Sequence, residues 1–339
     1  MSQEIVYTEE QLLKHCHSLF IKHGVPEEDA FIVSRILVQA ELEGVKTHGI
    51  SRIPSYLKKI KLGTINPRPN ISVVKQNPAS IVLDGDNGLG QVVSYRAMEM
   101  AMGLAKTSSV GLVSVRNSNH FGAASYYCQM AAKQDFIGLA FTNSPPGIPP
   151  WGSKKAYFGT NPISFGFPTA GEFPVIIDMA TSMTARGNII LAAKKGEKIP
   201  LGWALDEEGK PTEDPHAALA GAVLPMAGAK GYALALAIEI LSALLSGAEI
   251  GVNIPPVTDL KGKANIGHLI GAINIDSFLA KEIFKERLLN MIEDIKQQPL
   301  AFGHHEILIP GERRYKEASQ RGKEGIKISA DLAKELELI

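Results

Sequence analysis

Asp84-Gly85-Asp86-Asn87-Gly88-Leu89-Gly90 is the stretch on which the fold class turns, because it follows a β-branched run and precedes a helical one. That is where a doubly wound α/β protein carries its phosphate turn. The spacing here is G-x-x-G-x-G and not G-x-G-x-x-G, and no acidic residue ends a second strand at the distance that holds a ribose. The stretch therefore reads as a structural turn. No G-x-x-x-x-G-K-[ST] occurs either, so P-loop chemistry has no support. A dinucleotide enzyme built on this chain would need a different fold.

Short β-branched runs surround the turn at 71–74, 81–83, 110–115, 136–141, 163–167 and 175–177, with helical stretches at 92–105 and 123–133 between several of them. This alternation predicts a layered α/β domain with strands beneath helices. A long apolar helix over 232–245, a strand over 266–275 and an amphipathic helix over 278–295 follow. Upstream, Thr8-Glu9-Glu10-Gln11 fits a capping box for a helix that Gly24 stops. A second helix starts near Pro26 with Glu27, Glu28 and Asp29 and runs to about Glu43, and a third spans roughly 51–63. The 196–215 segment and the Pro255-Pro256 pair read as surface loops, and the chain beyond Pro299 as polar and irregular with a last helix near 331–336.

The 339 residues are 45% hydrophobic and 21% charged, enough for one large domain or two smaller ones. Thirty-five basic residues balance thirty-five acidic ones, so no global field favours nucleic acid or an anionic membrane, and small-molecule chemistry is the expectation. The start, Met1-Ser2-Gln3-Glu4-Ile5-Val6, lacks a basic stretch followed by an apolar run, and no apolar segment reaches membrane-spanning length; a cytoplasmic protein is expected. Cys16 and Cys128 are too few for a disulfide framework and sit among apolar neighbours, as buried thiols do. His15 and His17 flank Cys16, but positions i and i+2 point to different helix faces, so no metal site is expected.

Chemistry concentrates elsewhere. In Thr47-His48-Gly49-Ile50-Ser51-Arg52, His48 and Arg52 lie four apart at what reads as a first helical turn, where they share a face. The positive helix end would lower the His48 pKa while Arg52 stays charged, placing an acid/base group beside a carboxylate clamp. A helix cap and a surface ion pair are the plainer reading. In Asn117-Ser118-Asn119-His120-Phe121-Gly122-Ala123-Ala124 a valine-rich strand gives way to a helix whose small residues would leave backbone amides open to a pyrophosphate, with His120 alongside. His120 could equally bond nearby turn carbonyls. Thr142-Asn143-Ser144-Pro145-Pro146, Gly159-Thr160-Asn161-Pro162 and Asp178-Met179-Ala180-Thr181-Ser182 flank strands with polar groups that would converge on one crevice outside the strand ends. Lys230, between Gly228 and Gly231 at a helix start, suits a phosphate, and Ile309-Pro310-Gly311-Glu312-Arg313-Arg314 offers further cations.

Together these stretches resemble, over essentially the whole chain, the malate/L-lactate dehydrogenase family of the sulfolactate dehydrogenase type, which is distinct from the Rossmann-fold lactate and malate dehydrogenases. Its members include ureidoglycolate dehydrogenase, diketogulonate reductase and piperideine-2-carboxylate reductase. The matching motifs are T-H-G-I-S-R at 47–52, R-N-S-N-H-F-G-A-A at 116–124, G-T-N-P at 159–162, D-M-A-T-S at 178–182, G-A-K-G-Y at 228–232 and P-G-E-R at 310–313. The resemblance implies an α/β protein with a non-Rossmann, mixed-sheet cofactor domain over 76–275, a helical domain formed by 1–75 with 276–339, and a homodimer whose active site lies at or near the subunit interface.

By the same resemblance, His48 with the Thr47 hydroxyl looks like the proton donor and His120 like the other acid/base group, two histidines given competing roles among family members; Arg52 resembles the ligand of the substrate carboxylate, and Thr160 a substrate neighbour. His120, Phe121, Gly122, Ala123, Ala124, Ser144, Asp178, Met179, Ala180, Lys230, Gly311, Glu312 and Arg313 match positions associated with the dinucleotide, NAD or NADP. Thr47 replaces a common serine, and Gly228-Ala229-Lys230 replaces Gly-His-Lys. The implied reaction is hydride transfer between NAD(P) and a small 2-hydroxy acid of malate or lactate type; a cyclic imine, ureidoglycolate or diketogulonate is the alternative. A hydrolase reading of the Ser, His and Asp residues lacks the G-x-S-x-G elbow. Tyr56, Trp151, Phe158 and the 145–150 loop are candidates for shaping the side-chain pocket.

Overall fold

A computed structural model describes residues 4–256, 259–260 and 262–339; Met1, Ser2 and Gln3, part of the chain start read above, lie outside them. The described chain opens with β1 (Glu4–Tyr7) and α1 (Glu9–Lys22), whose capping box forms as expected: Gln11 N–H donates to Thr8 Oγ1 at 3.1 Å and Thr8 N–H to Gln11 Oε1 at 2.9 Å. α2 (Glu27–Leu42) follows. Two 3-10 turns, Lys46–His48 and Ile50–Arg52, then lead into α3 (Ile53–Lys61). Next come β2 (Ser72–Asn77), β3 (Ser80–Asp84), α4 (Gly90–Ser108), β4 (Val110–Ser118), α5 (Ser125–Ala132), β5 (Phe136–Thr142), β6 (Ile163–Phe167) and β7 (Val175–Met179).

The 196–215 segment is not a plain surface loop. Between α6 (Arg186–Lys195) and α7 (Pro215–Ala220), β8 (Ala204–Leu205) and β9 (Pro211–Thr212) pair with each other, and β10 (Ala222–Val223) adds to β8. Ile189, Ile199, Ala204, Ala218 and Val223 form a small core there. Strands of two residues are too short to show an alternating pattern, so the sequence carries no period for them.

α8 (Ala229–Glu239) continues into a π-helical turn, Ile240–Leu244, and is followed by β11 (Ile266–Asn274) and α9 (Lys281–Lys296). The tail expected to be irregular holds α10 (Glu312–Glu324), β12 (Ile326–Ser329) and α11 (Ala330–Glu335). α10 has one buried residue, Glu312, so its helical period lacks an apolar stripe. β12 pairs antiparallel with β1 and joins the two chain ends.

The main sheet is mixed and runs β2-β3-β4-β11-β5-β6-β7. Among the described residues only β3 and β4 pair in parallel; β11 runs antiparallel to both β4 and β5. A strand from far down the chain occupies the centre because it is apolar on both faces, with its first seven residues buried. α4 packs on β4 and β11 and also meets α2, so one core runs from Leu12 and Phe20 through Ile36, Leu37 and Met98 to Val113 and Ile270. Each such side chain contributes roughly 1.5–3 kcal/mol by leaving water. This topology sets the carboxyl ends of β3, β4, β5 and β7 and the starts of β6 and β11 along one edge of the sheet. Among the described residues, no helix is long and apolar enough to cross a membrane.

Candidate active site

The stretches 117–124, 142–146, 159–162 and 178–182 lie along that edge, where polar groups at strand ends face outward instead of into the ladder, while the 310–314 stretch sits by the start of β7 at Ile176. The 46–52 stretch differs from expectation in its local form. His48 closes the first 3-10 turn, Gly49 is extended with φ −92° and ψ −149°, and α3 begins only at Ile53. His48 and Arg52 are therefore not one α-turn apart on a common helix face. Glycine is required at 49 by close approach: a Cβ there would lie 2.2 Å from Glu41 Oε1, which accepts the Ile50 N–H at 3.1 Å.

His48 Nδ1 lies 2.9 Å from Thr47 Oγ1, and Arg52 Nε donates to the Thr47 carbonyl at 2.6 Å, which ties the arginine stem to the turn. Burial first, and then the Arg52 charge, depress the His48 pKa to about 4; Asp178 opposes this and Arg314 adds to it. The lowering expected from a helix end thus has another cause, since no α-helix starts at His48.

His120 stands over His48, with ring centroids 5.4 Å apart and planes 26° from parallel. Burial, then the nearby His48 and Arg52, hold its pKa well below the ordinary imidazole range. Gln91 Nε2 donates to the Tyr56 hydroxyl at 3.0 Å, and that hydroxyl lies 2.6 Å from His120 Nδ1. Having received Gln91, Tyr56 directs its own proton to Nδ1, which the Gly122 N–H also approaches at 3.4 Å. The neutral ring accordingly carries its proton on Nε2.

The glycine-rich turn at 84–90 works as a buttress for this loop. Buried Asn119 donates through Nδ2 to the Gly88 carbonyl at 2.8 Å and the Asn87 carbonyl at 3.1 Å, and a Cβ on Gly90 would lie 2.1 Å from the Asn119 carbonyl oxygen. Phe121, Ala123 and Ala124 are buried behind the loop. Two amides that the sequence left open for a pyrophosphate are engaged: Gly122 N–H points at His120, and Ser125 N–H donates to Asp178 Oδ2 at 3.3 Å. Asp178 also takes Arg314 Nη1 at 2.9 Å, and the same nitrogen reaches Ser125 Oγ at 2.6 Å.

Arg314 thus reaches the site through Asp178, while the Arg313 side chain is 61% exposed and pairs with Glu317 at 2.9 Å. Glu312 is buried, accepting the Ile309 N–H at 3.1 Å and Lys296 Nζ at 2.6 Å, so it fastens the start of α10. Gly311, with φ +96°, lets that start pass β7, because a Cβ there would meet Ile176 N at 3.0 Å. Met179 is exposed and Ala180 partly so.

Ser144 and Thr160 form a second group. A Cβ on Gly159 would lie 2.1 Å from Ser144 Oγ, which fixes glycine beside Thr160. The Thr160 carbonyl accepts both N–H and Oγ1 of Thr181, and the Thr181 carbonyl accepts Met226 N–H at 2.9 Å. The 178–181 segment therefore links the histidine group, the Ser144–Thr160 group and the start of α8, where Lys230 is exposed. Gly187 lies close by, its ideal Cβ position 3.6 Å from Thr47 Cγ2.

Sequence reasoning missed two buried supports. Glu239 lies under both strand-end loops, accepting Asn143 Nδ2 at 3.1 Å, Gly251 N–H at 2.8 Å and Asn161 Nδ2 at 2.7 Å. His268 on β11 stacks on Phe121 at 4.7 Å, with Thr142 Oγ1 at 2.7 Å from Nδ1 and Ser118 Oγ at 2.8 Å from Nε2. Their only signals were a charge in an apolar helix and a histidine in an apolar strand.

Burial drives the His268 pKa from 6.5 to about 3. A depressed histidine is protonated more readily in the unfolded chain, so its contribution is complete above pH 6.5 and is lost as pH falls toward 3, at up to about 1.4 kcal/mol per pH unit. Denaturant unfolding of wild type and His268→Asn at pH 7, 5 and 4 should show the wild type losing more stability across that window. Parallel loss in both proteins would assign the acid sensitivity elsewhere.

Comparison with known proteins places this geometry in a family. The malate/L-lactate dehydrogenase family matches residues 7–337. L-sulfolactate dehydrogenase of Methanocaldococcus jannaschii is 46% identical over 94% of this chain and 91% of its own, and the solved structure of the sulfolactate dehydrogenase from that organism superposes with a TM-score of 0.93, at 44% identity over 98% of this chain and 95% of that one. A (2R)-3-sulfolactate dehydrogenase (NADP(+)) of Chromohalobacter salexigens is 36% identical over 88% of both chains. Ureidoglycolate dehydrogenase (NAD(+)) of Escherichia coli is 34% identical over 91% of this chain and 88% of its own. With a mixed α/β sheet, a match across nearly its full length and relatives 34% to 46% identical, this chain belongs to the malate/L-lactate dehydrogenase family.

Proposed function

We propose that the protein is an oxidoreductase that moves a hydride between NAD or NADP and a small 2-hydroxy acid or 2-oxo acid, of the malate, lactate or sulfolactate kind. The observation that carries this reading is the pair of stacked neutral imidazoles, His48 and His120, with the Arg52 guanidinium tied to the same turn. The dinucleotide residues are those at 120–124 and 178–180 with Ser144, Lys230, Gly311, Glu312 and Arg313. What supports their fit is an exposed lysine at a glycine-flanked helix start, together with a cavity of about 400 Å³ lined in part by Gly311 and Arg314. When bound, the nicotinamide supplies the hydride acceptor or donor.

Arg52 holds the substrate carboxylate through a two-pronged contact and so orients the carbon that exchanges hydride, an effect that can be worth about 7–11 kcal/mol in favourable cases. The Tyr56 hydroxyl keeps His120 as the Nε2–H form, so this ring meets the substrate oxygen as a donor. His48 is left to take the hydroxyl proton in oxidation and return it in reduction. Docking an anion on Arg52 cancels the charge that helps depress both imidazoles, which moves the His48 pKa back toward the value at which a general base works best at neutral pH. Thr47 holds His48 in place, and Thr160 lines the substrate side.

The same reading takes 76–275 as a non-Rossmann cofactor domain and 1–75 with 276–339 as a helical domain, in a cytoplasmic homodimer. The exposed apolar Leu244, which ends the π turn, and Leu245 after it support a covered face there. Arg52→Lys tests the carboxylate contact. A single ammonium cannot reproduce the fork, so KM for a 2-oxo acid should rise about tenfold or more with a smaller change in kcat. An unchanged KM would remove Arg52 from substrate binding.

A further inference from the structure

We infer that the cavity enclosed by α2, α5, the start of β7 and α10 receives the adenosine end of the dinucleotide, and that Glu43 within it selects NAD over NADP. This rests on the proposed hydride-transfer reading and adds the cofactor's identity to it. The cavity, about 400 Å³, falls in the size range of small-ligand pockets. It adjoins Arg314, whose Nη1 grips Asp178, and Gly311, so it opens beside residues already assigned to the dinucleotide. Phe173 and Tyr315 lie along one wall with rings 5.2 Å apart and 28° from parallel, an aromatic surface suited to a flat base.

Glu43 is a buried carboxylate in the lining. Its side chain is 5% exposed, and Oε1 accepts Gln39 Nε2 at 2.8 Å and Gln129 Nε2 at 2.7 Å. Oε2 faces Arg314 Nη1 at 3.9 Å, beyond hydrogen-bond length, so it retains capacity for a hydroxyl donor. A carboxylate aimed at the ribose 2′-hydroxyl is the physical device by which dinucleotide enzymes prefer NAD. A 2′-phosphate would instead bring negative charge to a cavity that already holds Glu43 and Glu172. Of the two cations in the lining, Arg314 is shared with Asp178 and Lys133 lies at the exposed rim.

The test is calorimetric titration of the full-length protein with ADP-ribose and with its 2′-phosphate, alongside kcat/KM for NADH and NADPH. Wild type should bind ADP-ribose at least about tenfold tighter than the phosphorylated form, the share of one charge-assisted hydrogen bond. Glu43→Gln should lose most of that preference, and Ser319→Trp, which narrows the cavity mouth from α10, should weaken both ligands. Equal or tighter binding of the 2′-phosphate by wild type overturns the inference even if Glu43→Gln does not fold. So does unchanged ADP-ribose affinity in Ser319→Trp. Turnover with both cofactors at equal efficiency sinks this inference and leaves the hydride-transfer reading standing, whereas no turnover of any 2-oxo acid with either cofactor defeats that reading itself.

Discussion

Replacing His48 by alanine should lower kcat by about 10²–10⁴-fold, the usual share of a positioned general acid/base, while the affinity for the reduced dinucleotide changes little. The ring centroid lies 5.4 Å from that of His120, beside Arg52, the proposed clamp for the substrate acid, and it is held neutral at working pH by burial and by that arginine. It can therefore accept a proton without first losing one. His120→Ala should also be severely impaired, through loss of the Nε2–H donor that Tyr56 maintains. Tyr56→Phe offers a milder check, because it frees Nδ1 and lets the tautomer change. Stopped-flow turnover combined with fluorescence titration of the reduced cofactor separates chemistry from binding; full activity in both histidine variants would refute the assignment.

The second large effect is on stability. Glu239→Ala should cost about 3 kcal/mol or more, because a buried carboxylate that accepts three donors leaves each of them unsatisfied when removed. Glu239→Gln should cost less but still weaken the site, since an amide places a donor against one of the incoming N–H groups. The damage has a direction. Asn143 and Asn161 precede Ser144 and follow Thr160, so loosening them loosens the loops that carry both site residues. Chemical denaturation at neutral pH measures the loss, and a change within about 0.5 kcal/mol would show that Glu239 supports nothing.

The legible parts of the sequence were those in which local chemistry repeats over several residues. The β-branched runs became β2 to β7 with ends shifted by a few residues; burial alternates along β3 and β5, whereas β2, at the sheet edge, is exposed throughout and was legible from its β-branched residues alone. The site segments were visible because polar residues stand where strands end. What stayed hidden depends on contacts between distant parts of the chain. Nothing in Glu312-Arg313-Arg314 says which guanidinium faces inward until α10 is docked on β7 and Asp178. Glu43 reads as a helix-ending acid until Gln39 and Gln129 close on it from two helices. His48 does lie in the joint between α2 and α3; it reads as sharing a helical turn with Arg52 because a 3-10 turn, an extended glycine and another 3-10 turn have the spacing of one helical start.

The central claim is that a neutral imidazole and a carboxylate-binding arginine serve hydride transfer at this sheet edge. Its most direct test follows nicotinamide absorbance on mixing the protein with NADH or NADPH and a set of 2-oxo acids: pyruvate, oxaloacetate and 3-sulfopyruvate, each beside the ketone in which a methyl group replaces the carboxylate next to the carbonyl, as acetone does for pyruvate. Absorbance should fall with at least one acid and stay flat with its methyl ketone counterpart, and Arg52→Lys should narrow that difference. A flat trace for every acid with both cofactors, or equal turnover of acid and plain ketone, would contradict the account.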